Sequence, residues 1–312
     1  MSSDVVIIGA GIAGLAAARC LQVAGRSVRV IEKGRGVGGR MATRRIGDAR
    51  FDHGAQFFTV RSDQFAATVA RAETAGAVTP WTHGFGEPAD GHARWRGTEG
   101  MTSLCKWMAA DASIDVDLGV TVSDLRSIEA DAYLLTAPVP QSLAILSFSG
   151  LLPPPAMVIE LAQIAYKPTI AILATLDREP TGTAPHGGHP FAPDADLSFV
   201  SDNQAKGVSP LPAVTVHLSN KRSEELWTLS DGDIVTFGEE RVAGLLGDAS
   251  IVSAQVQRWR YAGPVSVHPS ATVVWGDHPV VALAGEAFAG PKVEGAFRSG
   301  VAAAKAVDLR LG

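Results

Sequence analysis

The sequence predicts an α/β protein: one unit built on a parallel sheet, joined to a smaller α+β unit with an antiparallel sheet. Three observations predict it. Near its start the chain carries a continuous β-branched run, Val5-Val6-Ile7-Ile8, then a glycine-rich turn and a small-residue helix. That is the order of a βαβ unit whose strands are buried on both faces. A similar order of strand, glycine, loop and helix returns between Pro279 and Leu309. From about 146 to 268 short apolar runs alternate with Pro/Gly loops, the pattern of mostly antiparallel strands.

Composition bounds the function. The chain has 312 residues, 46% of them hydrophobic and 19% charged, with a formal net charge of −5. That is a globular chain long enough for two domains. Its mild acidity argues against a nucleic-acid surface. Two cysteines, Cys20 and Cys105, make neither a disulfide framework nor a thiolate zinc site. The longest apolar stretch, Val5 to Ala18, is too short to span a bilayer and is interrupted by glycines. The opening Met-Ser-Ser-Asp lacks the basic start of a secretory signal, so the reading is a cytoplasmic protein with no membrane partner. Glycine is the uneven residue: ten of the 33 fall within the first 54 positions.

Those glycines have jobs. After the first strand comes Gly9-Ala10-Gly11-Ile12-Ala13-Gly14, then helix formers Leu15 to Leu21 ending near Gly25. A second strand, Ser27 to Ile31, ends in Glu32 and Lys33. Strand, G-x-G-x-x-G, helix, strand and acid form a Rossmann-type dinucleotide site. Gly9 permits the tight turn, Gly11 admits the pyrophosphate, and Gly14 lets helix and strand pack closely. The helix start at Ile12 and Ala13 offers free N–H groups and a positive dipole end to phosphate. Glu32 suits a ribose with a free 2′-hydroxyl, as in FAD or NAD, over NADP.

The next segment is a second glycine loop, Gly34-Arg35-Gly36-Val37-Gly38-Gly39-Arg40-Met41. The forked guanidinium of Arg40 suits a diphosphate. Arg44, Arg45 and Arg50 read as a solvated basic turn. At the other end the strand Pro279 to Ala284 leads to Gly285-Glu286, a short loop, Val293-Glu294-Gly295-Ala296, and a helix from Ala296 to about Leu309. A simple NAD dehydrogenase has no use for this second half-site, which ranks FAD above NAD.

The second glycine loop with its arginine, and the C-terminal Gly-acid-loop-helix, resemble the two signatures of the FAD-dependent amine oxidase superfamily. Asp52-His53-Gly54-Ala55-Gln56-Phe57-Phe58, Leu135-Thr136-Ala137-Pro138 and Arg258-Trp259-Arg260-Tyr261-Ala262-Gly263-Pro264 narrow the likeness. With them the chain resembles the renalase branch, in particular bacterial renalases. The likeness is strong over 4–61 and 257–305 and thin over 150–256.

The resemblance implies a two-domain flavoprotein with non-covalent FAD. It implies oxidation of a small reduced donor, the dihydronicotinamide isomers of NAD(P), with electrons passed to oxygen as hydrogen peroxide. It places Gly39, Arg40 and Met41 at the pyrophosphate and Val122 at the adenine. Gly54, Ala55, Gln56 and Phe57 come to the flavin ring, Gly285 and Glu286 to the ribityl or pyrophosphate portion, and Val293 to Ala296 to the pyrimidine side. A helix start there would stabilise the negative charge of a reduced flavin. The usual Gly-Asp of the second signature is Gly285-Glu286 here, one methylene longer. No cysteine lies near it, so a covalent flavin link has no candidate.

Hydride transfer to a flavin needs positioning and dryness more than acid–base groups. Candidate walls for the donor are Phe57, Phe58, Trp259 and Tyr261, with Gln56 the polar contact to flavin or substrate. His186-x-x-His189 sits in a Pro/Gly loop with too few ligands for a metal, and Asp231-Gly232-Asp233 is a turn or helix start, so no metal is expected. Helices are expected from Asp63 to about Ala75 and from Ile234 to Leu246. Strands are expected at Thr169–Leu176, Ala213–Leu218 and Ile251–Gln257, and a crossing between domains at Leu151–Pro155. The FAD-binding domain is expected to comprise 1–61, 96–145 and 269–312, and the substrate domain 62–95 and 146–268. Two other readings stay open: an amine oxidase or desaturase acting on another small molecule, and a non-catalytic flavin sensor.

Overall fold

A computed structural model of the chain describes residues 3–86 and 88–312. The first part carries β1 (Ser3–Ile8), α1 (Ile12–Val23), β2 (Val28–Glu32), β3 (Thr43–Ile46), β4 (Ala49–Asp52), α2 (Asp63–Thr74), β5 (Val78–Thr82) and β6 (Arg94–Gly97). Next come α3 (Thr102–Asp111), β7 (Val116–Leu118), β8 (Ala130–Leu135), α4 (Val139–Ser149) and α5 (Pro155–Ala162). The central part holds β9 (Tyr166–Leu176), β10 (Gly188–Pro190), β11 (Leu197–Asp202), β12 (Ala213–Leu218), α6 (Asn220–Glu225), α7 (Asp231–Leu246) and β13 (Ile251–Pro264). The chain closes with β14 (Val273–Trp275), β15 (Val280–Leu283), α8 (Glu286–Ala289) and α9 (Val293–Leu311).

The expected α/β architecture is present. Six strands form one sheet in the order β14-β15-β8-β1-β2-β7, parallel throughout except for the β14–β15 pair. Alternation along β1 feeds two cores. Val5 and Ile7 face α1, α3 and α9, while Val6 and Ile8 pack with Leu146 of α4 and Leu161 of α5. Covering both faces is why β1 reads as an unbroken apolar run. Helix α9 docks on α1 through Gly300, where a Cβ would stand 2.0 Å from the Ala13 carbonyl oxygen.

Five strands form the second sheet, β10-β11-β12-β9-β13, all antiparallel. Ile172, Ala174, Val214 and Val216 on one face meet Ile234, Val242 and Leu246 of α7. Ala171, Leu173 and Ala213 on the opposite face meet Ala49 and Phe51 of the β3–β4 hairpin. That hairpin joins the Arg40 loop to the Gly54 turn, so the antiparallel sheet is packed directly against the predicted site.

One expectation about domains changes. Residues 62–95 were expected in the substrate domain, yet α2 buries Phe65, Val69 and Ala72 in the core of the parallel sheet, and Val78 joins them. The i, i+4, i+7 stripe of α2 makes it amphipathic but says nothing about which core receives it. The β5–β6 hairpin bridges the units, because Trp81 and Phe85 contact Phe199 of β11. Among the described residues no helix is long and apolar enough to cross a membrane.

Candidate dinucleotide and flavin site

The turn after β1 is built for close approach. Gly9 has φ +108°, and a Cβ there would meet Thr136 Oγ1 at 2.5 Å. Gly14 would place a Cβ 2.0 Å from the Gly9 carbonyl oxygen, whereas Gly11 faces open space. The side chains of Ile12 and Ala13 are buried, leaving their backbone at the helix start. Within α1 the first backbone partner is Leu15 N to Gly11 O, so the N–H groups before it stay available for a ligand.

Glu32 fixes this turn. Its Oε2 accepts from Ala10 N at 2.8 Å and its Oε1 from Gly34 N at 2.7 Å. Lys33 is exposed beside it, and Val122 is half-buried in the second core. The second glycine loop lies alongside the first. Gly38 N donates to Ala10 O at 2.9 Å, and Gly39, with φ +54°, would bring a Cβ 3.5 Å from Gly11 Cα. The Met41 side chain turns into the core, with its Sδ 4.0 Å from Cys105 Sγ, so only its backbone can serve a cofactor.

Arg40 joins the two ends of the chain. Its guanidinium grips the Glu286 carboxylate with both Nη atoms and donates to Tyr261 O at 3.1 Å. Tyr166 stands over this pair, accepting from Val139 N at 3.1 Å and packing edge-on against Tyr261 at 5.5 Å. Burial, and then the Glu286 charge, push the Tyr166 phenol up. The Arg40 carbonyl accepts from Ala55 N at 2.9 Å, and a Cβ on Gly54 would stand 2.0 Å from that oxygen. The Arg40 loop and the Gly54 turn are therefore one continuous surface.

Several predicted side chains are placed differently from the sequence expectation. The Gln56 amide was read as a flavin or substrate contact. It is buried instead, donating to Asp52 O at 2.5 Å and Gly54 O at 3.3 Å within its own turn. Phe58, read as a site wall, is core, packed on Phe65 and Trp95. Phe57 joins an aromatic cluster with Trp81, Phe85 and Phe199. Glu294 is not free for a cofactor, because its carboxylate accepts from Arg61 N and Ser62 N at 2.9 and 2.7 Å. Arg44, read as solvated, is half-buried and donates to Gln257 Oε1 at 2.9 Å. Aromatic and amide side chains serve cores and sites equally well, and sequence spacing does not separate the two uses.

Trp259 lies against the Gly54 turn and Tyr261 against Arg40. Trp259 stacks on His53 at 5.3 Å, with the rings 9° from parallel, and donates from Nε1 to His53 O at 2.7 Å. Burial holds the His53 and His217 imidazoles down at about 4, so both are neutral at pH 7. At the C-terminal signature Gly285, with φ +142°, donates its N–H to Ser299 Oγ at 2.9 Å. Gly295 would place a Cβ 2.2 Å from Gly290 O, so Val293 to Ala296 start α9 from a tight turn.

Sequence reasoning missed Lys206. Its side chain is fully buried, with Nζ 2.8 Å from Asp52 Oδ2, 2.6 Å from Gln56 O and 4.8 Å from the centre of the Trp81 ring. A single lysine in a polar loop carries no sequence signal for such burial.

The fold is that of a Rossmann-type dinucleotide-binding protein. The known proteins that the chain resembles specify the class further. The pattern of the NAD(P)-binding Rossmann-like domain matches residues 7–72, and that of the flavin containing amine oxidoreductases matches residues 109–308. The second match covers well over half of the chain, which belongs to the flavin containing amine oxidoreductase family. The glycine cradles fit the flavin from which this family takes its name.

A segment of 95 residues, 30% of the chain, is 41% identical to AofH of Mycobacterium tuberculosis, a protein named as a flavin-containing monoamine oxidase. The match spans 20% of that relative's length. Among solved structures, cyclohexylamine oxidase from Brevibacterium oxydans superposes with a TM-score of 0.74 at 14% identity, covering 100% of both chains. A protein from Exiguobacterium named as a protoporphyrinogen oxidase gives a TM-score of 0.74 at 14% identity, covering 99% of both chains. At those identities the likeness concerns the fold.

Proposed function

We propose that this chain is a renalase-like oxidase. It binds FAD without a covalent link and oxidises a small reduced donor, the dihydronicotinamide isomers of NAD(P). Oxygen is the acceptor and hydrogen peroxide the product. The observation that carries this reading is the string Asp52 to Phe58, set directly against Arg40 and so against Glu286 of the second signature. When bound, the flavin supplies a two-electron acceptor that takes hydride from the donor and returns the electrons to oxygen.

The chain's own residues bind and orient. The N–H groups at the start of α1 and the Arg40 guanidinium would hold the diphosphate, and Glu32 the ribose. The Gly54-Ala55 backbone would line the ring. Trp259 and Tyr261 would wall the donor and exclude water, which strengthens every fixed dipole in the site. With His53 and His217 held neutral, neither adds a charge beside the ring at pH 7. We assign 1–61, 96–145 and 269–312, now with α2, to FAD binding and 146–268 to substrate choice. The two cysteines are free thiols, in keeping with the cytoplasmic location proposed with this reading.

A second reading, oxidation of an amine, is favoured by the family match and by the AofH segment. Anaerobic reduction of the FAD-loaded protein by dihydronicotinamide isomers, beside a panel of amines, separates the two. Bleaching of the flavin by the isomers, with peroxide released on re-oxygenation, is the expected result. Turnover confined to amines would replace the first reading with the second.

A further inference from the structure

We infer that Lys206 is a positioning residue for the flavin ring: its ammonium, delivered from the antiparallel-sheet unit, holds the turn that lines the ring. The inference rests on the proposed reading that Gly54-Ala55-Gln56 faces flavin. All of the oxygen partners of Lys206 Nζ lie in one short segment. Nζ donates to Asp52 Oδ2 at 2.8 Å and Gln56 O at 2.6 Å, with Gln56 Oε1 at 3.4 Å. Asp52 does not need the lysine to be fixed, because its Oδ1 already accepts from Met101 N at 2.7 Å and Thr43 Oγ1 at 2.6 Å. What Lys206 supplies besides charge balance is a donor to the Gln56 carbonyl, at the edge of the turn.

The loop that carries Lys206 is over-determined. Asp202 Oδ1 accepts from Gln204 N and Ala205 N at 3.0 Å each, and Asn203 Nδ2 donates to Thr215 Oγ1 at 3.0 Å. Gly207 adopts φ +77° where a Cβ would stand 2.7 Å from Arg96 Nη2. A loop this constrained, ending on an ammonium with no solvent exposure, fixes its target rather than decorating it. The same unit grips the turn's other end, where Trp259 Nε1 donates to His53 O at 2.7 Å. Through these donors the sheet that selects the donor molecule also sets the ring against which it must stack.

The test uses the full chain loaded with FAD, comparing wild type, Lys206→Met, and the double variant Lys206→Met with Asp52→Asn. Both variants are expected to bind FAD at least about ten-fold more weakly, with shifted visible flavin bands. The double variant should regain the apoprotein melting temperature lost in the single one, because no buried charge is left unpaired. Wild-type affinity and spectrum in the double variant would overturn the inference, leaving Lys206 as a charge partner only. In the wild type, FAD is expected to slow amide exchange at 203–209. Unchanged exchange there would overturn it too, whether or not any variant folds. A wild-type protein that binds no FAD would overturn the flavin reading itself, and the inference with it.

Discussion

Arg40 and Glu286, 246 positions apart, form a two-pronged ion pair at the meeting point of the two glycine signatures. Their side chains are 26% and 10% exposed, so the pair is only partly shielded from water. On the proposed reading, the arginine that meets the diphosphate is thus kept in place by an acid beforehand. Pre-ordering of this kind reduces the conformational cost of binding.

Replacing Arg40 with alanine removes the proposed diphosphate partner and leaves Glu286 facing Tyr166 without its counter-charge. FAD affinity is expected to fall by about two orders of magnitude, the size of one lost charge-assisted contact. Glu286→Gln should cost less, since an amide still holds Arg40 by one hydrogen bond. Equilibrium dialysis with FAD checks both, and equal losses would contradict the ordering.

Gly54→Ala is expected to be the most damaging small substitution near the ring. Its Cβ would stand 2.0 Å from the Arg40 carbonyl oxygen, against backbone that a rotamer change cannot move. Gly11→Ala meets nothing within 4 Å in the protein, so the apoprotein should keep its melting temperature. Its methyl group would instead occupy the diphosphate approach. Melting curves with and without FAD separate the cases: Gly54→Ala loses stability in both, Gly11→Ala loses only the shift that FAD produces.

Glu32→Ala combines the two effects. The carboxylate bonds the N–H groups of Ala10 and Gly34 and so shapes both glycine loops. Loss of two part-buried acceptor bonds should cost about 2 kcal/mol of stability, and FAD retention should fall with it. A variant that purifies with full flavin content and an unchanged melt would remove Glu32 from the site.

The backbone half of the site was legible in the sequence, and the side-chain half less so. Gly9 and Gly14 could be placed because a tight turn and close helix–strand packing demand glycine at fixed spacing. Gln56 and Phe58 could not, because an amide or a phenyl ring gives the same signal in a core as in a site. Lys206 was invisible, since it depends on pairing with Asp52, 154 positions away. The placement of α2 was lost for a related reason, as an apolar stripe does not name its partner sheet.

Trp259→Phe keeps a ring to stack on His53 but loses the Nε1 donor to His53 O. One neutral hydrogen bond is worth about 1 kcal/mol, so the melting temperature should drop by only a few degrees. If Trp259 walls the donor, KM should rise several-fold while FAD affinity stays near wild type. A change in FAD affinity with KM unmoved would assign the residue to the flavin turn alone.

Stability should fall steeply between pH 6.5 and 4. His53 and His217 are held at about 4 by burial, against 6.5 for a free imidazole. In that window the unfolded chain binds protons that the folded chain refuses. Stability therefore rises with pH through it and levels off above 6.5. Each histidine accounts for roughly 3 kcal/mol across the window, from about 1.4 kcal/mol per pKa unit. The carboxylates held below their usual range, Asp90, Asp124, Asp177 and Asp196, titrate under pH 4 and do not produce this slope. Replacing His217 with asparagine removes one of the two imidazoles and leaves a polar group facing His53 O. Burial also lowers His189, so melting curves of both proteins from pH 4 to 8 should show a reduced but still positive slope in the variant, and superimposable profiles would mean that His217 does not titrate on unfolding.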